Sequence, residues 1–240
     1  MLGFPIRMKA SFLIMLGVVF LWMGGLPGLF AVLLAFGSVL LHELGHAVVA
    51  RRLGVGVSVI ELHFFGGAAQ LTSVPRSARD EIAIAAAGPG VSLALAVLGF
   101  GLAALSGLSL FALVGSINLG LAIFNLIPAF PSDGGRILRA ALARRMGLLA
   151  ATEAAVKVGR VVLIALALVG VAYGAYQVAI VAGVLWMMGS AERLAVRMRG
   201  DDRWRTGGGE RRGGQNPLVT PAEYIPPHNQ RPPRVVYWRV

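Results

Sequence analysis

Leu40-Leu41-His42-Glu43-Leu44-Gly45-His46-Ala47 is the stretch on which the reading of this chain turns. It has the pattern H-E-x-x-H. On a helix, residues four apart lie one above the other, so His42 and His46 share a face. Two imidazoles so placed can grip one Zn²⁺, with Glu43 beside them as a general base. The setting sharpens the point. From Gly28 to Val49 the only polar side chains are these three and Ser38. A single buried histidine is usually a satisfied core residue. Two histidines and a glutamate in an apolar helix are costly and mark a functional site.

Composition supports a membrane setting. The chain has 240 residues, 57% of them hydrophobic and 14% charged, with mean hydropathy +0.75. Soluble domains carry roughly 25% charged residues. There is no cysteine, which excludes a disulfide framework and any thiolate metal site. The net charge of +11 could suggest a nucleic-acid partner. The distribution argues against it: all 22 Lys and Arg fall in residues 1–9, 51–79, 136–160 and 193–239, where they flank apolar segments. No nucleic-acid partner is expected; the lipid bilayer is.

Outward from the motif, the apolar runs set the fold class: an all-α polytopic membrane protein of about six transmembrane helices with a small membrane-associated β-hairpin. Ala10–Leu26 is the first span, and Gly24-Gly25-Leu26-Pro27 turns the chain into the second, Gly28–Ala50. Val55 to Phe64 is β-branched and aromatic, and Gly66-Gly67 before Ala68–Val74 makes a hairpin turn. Ser77 is a helix N-cap with Glu81 in the first turn. Ile82–Leu105 is the third span, interrupted by Ala87-Gly88-Pro89-Gly90, which should kink it or admit a close neighbour. Leu108–Ile127 is the fourth, with Asn118 and Asn125 in it. Pro128-Ala129-Phe130-Pro131-Ser132-Asp133-Gly134-Gly135-Arg136 is broken backbone near membrane depth, tolerated only inside protein or beside a cavity. Ile137–Thr152 is a basic amphipathic helix. Val156–Ala172 and Tyr176–Met188 complete the six spans. Residues 1–199 form the transmembrane domain, with a core of about 28–140. Residues 200–240, rich in Gly, Pro and Arg, read as a disordered tail or as a short partner-binding segment ending in Val235-Val236-Tyr237-Trp238.

A catalytic zinc needs three protein ligands and an open position. His42 and His46 supply two. For the third, Asp133 is the strongest candidate, an acid beside two glycines just after a proline-broken helix end. Its alternative role is the N-cap of the helix that follows. Glu61, His63 and Asp80 are further candidates with ordinary solvated readings.

H-E-L-G-H in an early span, with Asn125-Leu126-Ile127-Pro128-Ala129-Phe130-Pro131-Ser132-Asp133-Gly134-Gly135-Arg136 in a later one, resembles the site-2 protease family of intramembrane zinc metalloproteases. The likeness is nearest to its compact bacterial group, which includes the sporulation factor proteases, and covers roughly residues 35–140. The resemblance implies Zn²⁺ ligated by His42, His46 and Asp133, with Glu43 as the catalytic glutamate. It implies substrate contact by Asn125 and by Gly66 and Gly67, the glycine pair of the family's membrane hairpin. The substrate would be a membrane-anchored protein cut in or near its transmembrane segment, in the course of regulated intramembrane proteolysis. The chain departs from the family pattern at Ser132, where leucine is usual, and at Ser92, which ends Gly88-Pro89-Gly90-Val91-Ser92 where the family has G-P-x-x-N. No stretch reads as a PDZ domain or a CBS pair. A metal-ion transporter and an inert membrane scaffold are the rival readings. The transporter does not require Glu43 between the histidines and would favour several polar side chains along a path. The presence of all four expected residues speaks against the inert scaffold.

The charge distribution also gives an orientation. The turns near residues 24–27, 106–109 and 173–175 carry no Lys or Arg, so six spans bring every basic segment, and both termini, to the cytoplasmic side of a bacterial plasma membrane. Reporter fusions after residues 26, 107 and 174 are expected to report the opposite side. A cytoplasmic signal at residue 107 would contradict the span count.

Overall fold

The computed structural model describes residues 6–8, 14, 17, 20, 25–63, 66–71, 75, 77–206 and 238–239. Six helices account for most of them: α1 (Leu26–Arg52), α2 (Ala78–Ser106), α3 (Ser109–Leu126), α4 (Asp133–Met146), α5 (Leu148–Ala172) and α6 (Tyr176–Thr206). All but α4 contain a stretch long and apolar enough to cross a membrane, five among the described residues. The span expected over Ala10–Leu26 lies outside the described residues. Large apolar side chains such as Val97, Leu105, Val161, Leu168 and Met187 stand exposed on the helix surfaces, as lipid-facing residues do.

The chain divides into two compact units. The first comprises residues 1–75, 83–124 and 227–240, the second residues 76–82 and 125–226. The boundary falls within α2, one turn after its start.

In the first unit the helices approach through small residues, the rule for packing in lipid, where burial of apolar surface drives nothing. A Cβ on Gly99 of α2 would stand 2.7 Å from the Gly115 nitrogen of α3. A Cβ on Gly45 of α1 would stand 2.8 Å from Val91 and 2.9 Å from the Ala87 carbonyl of α2. Asn118 of α3 is fully buried, and its Nδ2 donates to Ser38 Oγ of α1 (2.9 Å) and to the Val114 carbonyl (3.0 Å). The one serine of the motif helix is thereby accounted for. Helix α2 continues without a break through Pro89. Ala50, Val55 and Ile84 form a small core below the motif.

The same unit carries four short strands in the order β1-β2-β3-β4: β1 (Ile6–Met8), β2 (Val57–His63), β3 (Gly66–Leu71) and β4 (Trp238–Arg239). β2 and β3 are antiparallel, with His63 opposite Gly66 and Leu62 opposite Gly67. The glycine pair expected to form the turn therefore stands at the start of β3. β4 pairs with β3 through Trp238–Leu71 and Arg239–Gln70.

In the second unit Ala129, Leu163, Ala182 and Leu185 pack in one cluster and Phe130, Ala155 and Val156 in another. Ser77 caps α2 as expected, its Oγ accepting the Asp80 amide at 3.1 Å. Two boundaries differ from the sequence reading. The amphipathic helix ends at Met146, not Thr152, because Gly147 takes φ 77, and α5 starts at once from Leu148; glycine is the residue that adopts this left-handed conformation without strain. Helix α6 runs six residues past Gly200, to Thr206, so the segment after Gly200 begins as helix.

The Gly99–Gly115 contact leaves no room for a side chain. Gly99→Leu is expected to destabilise the protein by about 1–3 kcal/mol or more through overpacking, read as a lowered unfolding temperature in detergent. An unchanged temperature would show that α2 and α3 do not pack this closely.

Candidate metal centre

The site starts from α1. His42, Glu43 and His46 are all buried, with relative exposures of 3%, 6% and 1%. The imidazoles face each other edge to face, ring centroids 4.8 Å apart and planes at 78°, as the one-turn spacing requires. Each is oriented by α2. His46 Nδ1 lies 2.6 Å from the Ile84 carbonyl oxygen. A carbonyl only accepts, so Nδ1 carries the proton and the lone pair of the neutral ring sits on Nε2. His42 Nδ1 lies 2.9 Å from Ser92 Oγ, an oxygen able to accept from it in the same tautomer. This is the arrangement by which a second nitrogen fixes a ligating histidine.

Between those two contacts stands Gly88. A Cβ built there would collide with Nε2 of both His42 and His46. The two lone pairs thus converge on a space that exists because residue 88 has no side chain. Ile84, Gly88 and Ser92 follow at intervals of four along one face of α2, so a single helix face presents an acceptor, a gap and an acceptor. Gly45 within the motif serves the same approach from the other side, since a Cβ there would meet Ala87 and Val91.

Asp133 belongs to the second unit, where it is the first residue of α4 and 4% exposed. Its alternative reading as the N-cap does not hold: Ser132 occupies that position, with φ −65 and ψ 162. The Ser132 hydroxyl turns back to the Ile127 and Ala129 carbonyls, 2.5 Å from each. A carboxylate in the first turn is favoured by the helix dipole. Arg136 Nη1 stands 3.6 Å from Asp133 Oδ1, one turn on. The two glycines after Asp133 are there for space. A Cβ on Gly134 would strike the Leu126 and Ile127 carbonyls, and one on Gly135 would come within 2.8 Å of the Ala129 carbonyl carbon. Helix α4 begins packed against the backbone that leads into it.

The other candidates are placed as follows. Asn125 is half-buried in the last turn of α3. Gly66 and Gly67 open β3, Glu61 and His63 lie on β2, and Asp80 is in the first turn of α2. The donors His42, His46 and Asp133 are two imidazoles and a carboxylate, all buried, in a chain without thiols. That donor set fits Zn²⁺ at a site with an open position, and the space kept by Gly88 lies where its nitrogen donors point.

Sequence reasoning missed Ile84 and Ser92. Ser92 was visible as a departure from the G-P-x-x-N pattern, but its role as the His42 partner was not. The Ile84 contact runs through a main-chain carbonyl, which leaves no trace in residue identity.

Comparison with known proteins bears on the same region. The model of Peptidase family M50 matches residues 29–110 and 103–166. A zinc metalloprotease of Methanocaldococcus jannaschii is 39% identical over 167 residues, covering 66% of this chain and 49% of that protein. Stage IV sporulation protein FB of Bacillus subtilis is 33% identical over 127 residues, covering 50% and 44%. The chain thus spans about half the length of these relatives. Among solved structures, a site-2 protease from Methanocaldococcus jannaschii aligns with TM-score 0.61 and 32% identity, over 80% of this chain and 92% of that one.

Gly88→Ala is expected to abolish zinc binding by filling the space at the Nε2 atoms. Ser92→Ala should weaken it by about 10–100-fold through loss of the His42 partner. Chelator competition on the purified protein measures both, and a Gly88→Ala variant that binds zinc like the wild type would refute the geometry.

Proposed function

The chain belongs to peptidase family M50, and on that premise we propose that it is an intramembrane zinc metalloprotease that hydrolyses peptide bonds in or near the transmembrane segments of membrane-anchored proteins. The observation that carries this reading is the histidine pair of α1, each ring held by its Nδ1 with Glu43 next to His42. The names of the relatives favour this reading over a transporter or a scaffold.

In this reading His42, His46 and Asp133 would hold Zn²⁺. The burial of Asp133, its place at a helix start and the glycines that let that start pack closely support it as the third ligand. When bound, Zn²⁺ supplies Lewis acidity, which makes water a nucleophile near neutral pH and polarises a carbonyl. The protein's own residues do the rest. Ile84 and Ser92 keep both imidazoles in the ligating tautomer. Glu43, about 100° around the helix from His42, takes the proton of the attacking water and returns it to the leaving amine. Asn125 positions the substrate carbonyl or its developing oxyanion.

A substrate helix has its carbonyls bonded internally and must unwind before attack. Strand addition at the Gly66-Gly67 end of β3, away from the residues that pair with β4, would replace the lost hydrogen bonds. This gives the hairpin its role at the membrane. The transmembrane domain ends near residue 199 and the segment after it is a cytoplasmic extension. Both termini face the cytoplasm from the plasma membrane.

Glu43→Gln separates base from ligand. The amide keeps the shape and cannot accept a proton at neutral pH, so turnover of a membrane-anchored substrate should fall by about 10²–10⁴-fold, with zinc content and unfolding temperature unchanged. Cleavage at the wild-type rate would overturn the reading. Asp133→Ala is expected to lose most of the bound zinc; full retention would mean that the third ligand lies elsewhere.

A further inference from the structure

Arg139 lies six residues past Asp133 on α4 and is buried, 5% exposed. Its Nε and Nη2 donate to the same oxygen of Glu81, Oε1, at 3.1 and 2.5 Å, and its Nη1 donates to Glu192 Oε1 at 2.7 Å. The guanidinium also stands 5.2 Å from the centre of the Phe130 ring, close enough for a cation–π contact. One cation therefore joins the first turn of α2, the helix α4, the helix α6 and the turn that leads into Asp133. Burial alone would lower the pKa of Arg139, but the carboxylates of Glu81 and Glu192 outweigh it and hold the pKa above its ordinary value. The group stays charged.

Such a pair is an expensive way to fill space. Removing two ions from water costs more than most geometries return, and apolar side chains of similar volume often serve stability as well or better. Glu81 and Arg139 are both about 95% buried as side chains, whereas Glu192 is 34% exposed and correspondingly screened. What the pair provides instead is fixed geometry between two particular helices. Glu81 stands three residues before Ile84 and seven before Gly88, on the face of α2 that orients the histidines. Arg139 stands on the helix that opens with Asp133, and Phe130 is three residues before that aspartate.

We propose that Arg139, with Glu81 and Glu192, is the positioning cluster of the metal centre: it fixes the register of α4, and so of the Asp133 carboxylate, against the helix that orients His42 and His46. The proposal rests on Asp133 being the third ligand. These residues touch neither substrate nor reacting atoms; they act through the ligands.

The test uses the full chain in detergent. Three quantities are measured: unfolding temperature without metal, zinc affinity by chelator competition, and kcat and KM on a membrane-anchored substrate. Arg139→Gln alone would strand a buried carboxylate and risks unfolding, so the decisive variant is the double change Glu81→Met with Arg139→Met. It should unfold at or above the wild-type temperature, yet bind zinc about 10–100-fold more weakly and lose kcat with KM little changed. Arg139→Lys keeps the charge without the fork; it should fold and recover only part of the zinc affinity. Wild-type zinc affinity and kcat in either variant would reduce the cluster to packing and overturn the proposal. So would a lowered unfolding temperature with wild-type zinc affinity in the folded fraction. Asp133→Ala, run alongside, separates the two levels. If it retains wild-type affinity the ligand assignment fails, whereas loss there with wild-type behaviour in the cluster variants removes the cluster's role alone.

Discussion

Two imidazoles inside an apolar helix must each satisfy a second nitrogen without water, and the structure around them follows from that requirement. Both partners come from one face of α2, the Ile84 carbonyl for His46 and Ser92 Oγ for His42. A helix that offers both must run close against α1, and close approach needs glycine at the crossing. Gly45 supplies it on one side and Gly88 on the other. The proline that follows Gly88 is accommodated without interrupting α2. Packing through small residues, the orientation of the rings and the space between their Nε2 atoms are thus one arrangement seen at three scales.

The same economy governs the charges. In a chain with 14% charged residues, Glu43, Glu81, Asp133, Arg136 and Arg139 are nevertheless all buried. Each buried acid or base is a cost that a membrane protein avoids unless the group has work to do. All five are in or beside the two segments that carry the candidate ligands or on the cluster that ties α4 to α2. The proposed hydrolysis inside a bilayer would need polar groups where lipid forbids them, and enclosing those groups in protein meets both demands.

Much of this was legible in the sequence, and the remainder was hidden for identifiable reasons. The motif helix, the apolar spans from Gly28 onward and the Ser77 cap were readable from periodicity and end signals. Gly66-Gly67 reads as a turn on local chemistry, but pairing with Leu62 and His63 places it within β3, and register is a property of two strands at once. Thr152 continued a helical pattern on both sides, so only the left-handed Gly147 shows where α4 stops. Asp133 was found from its neighbours, yet its position as the first helical residue shows only in the backbone, where Ser132 takes the N-cap place. Arg139 reads in sequence as one more arginine of a basic helix. Its partners at residues 81 and 192 are brought to it by tertiary packing alone.

The central claim is that His42, His46 and Asp133 together hold one zinc ion. X-ray absorption at the zinc edge of the purified protein tests it most directly. Expected is a first shell of two imidazole nitrogens at about 2.0–2.1 Å, completed by oxygen donors at about 2.0–2.2 Å with no sulfur, and the loss of most of the zinc signal per protein in Asp133→Ala. A shell with a single imidazole, or a full zinc complement with an unchanged shell in Asp133→Ala, would contradict it.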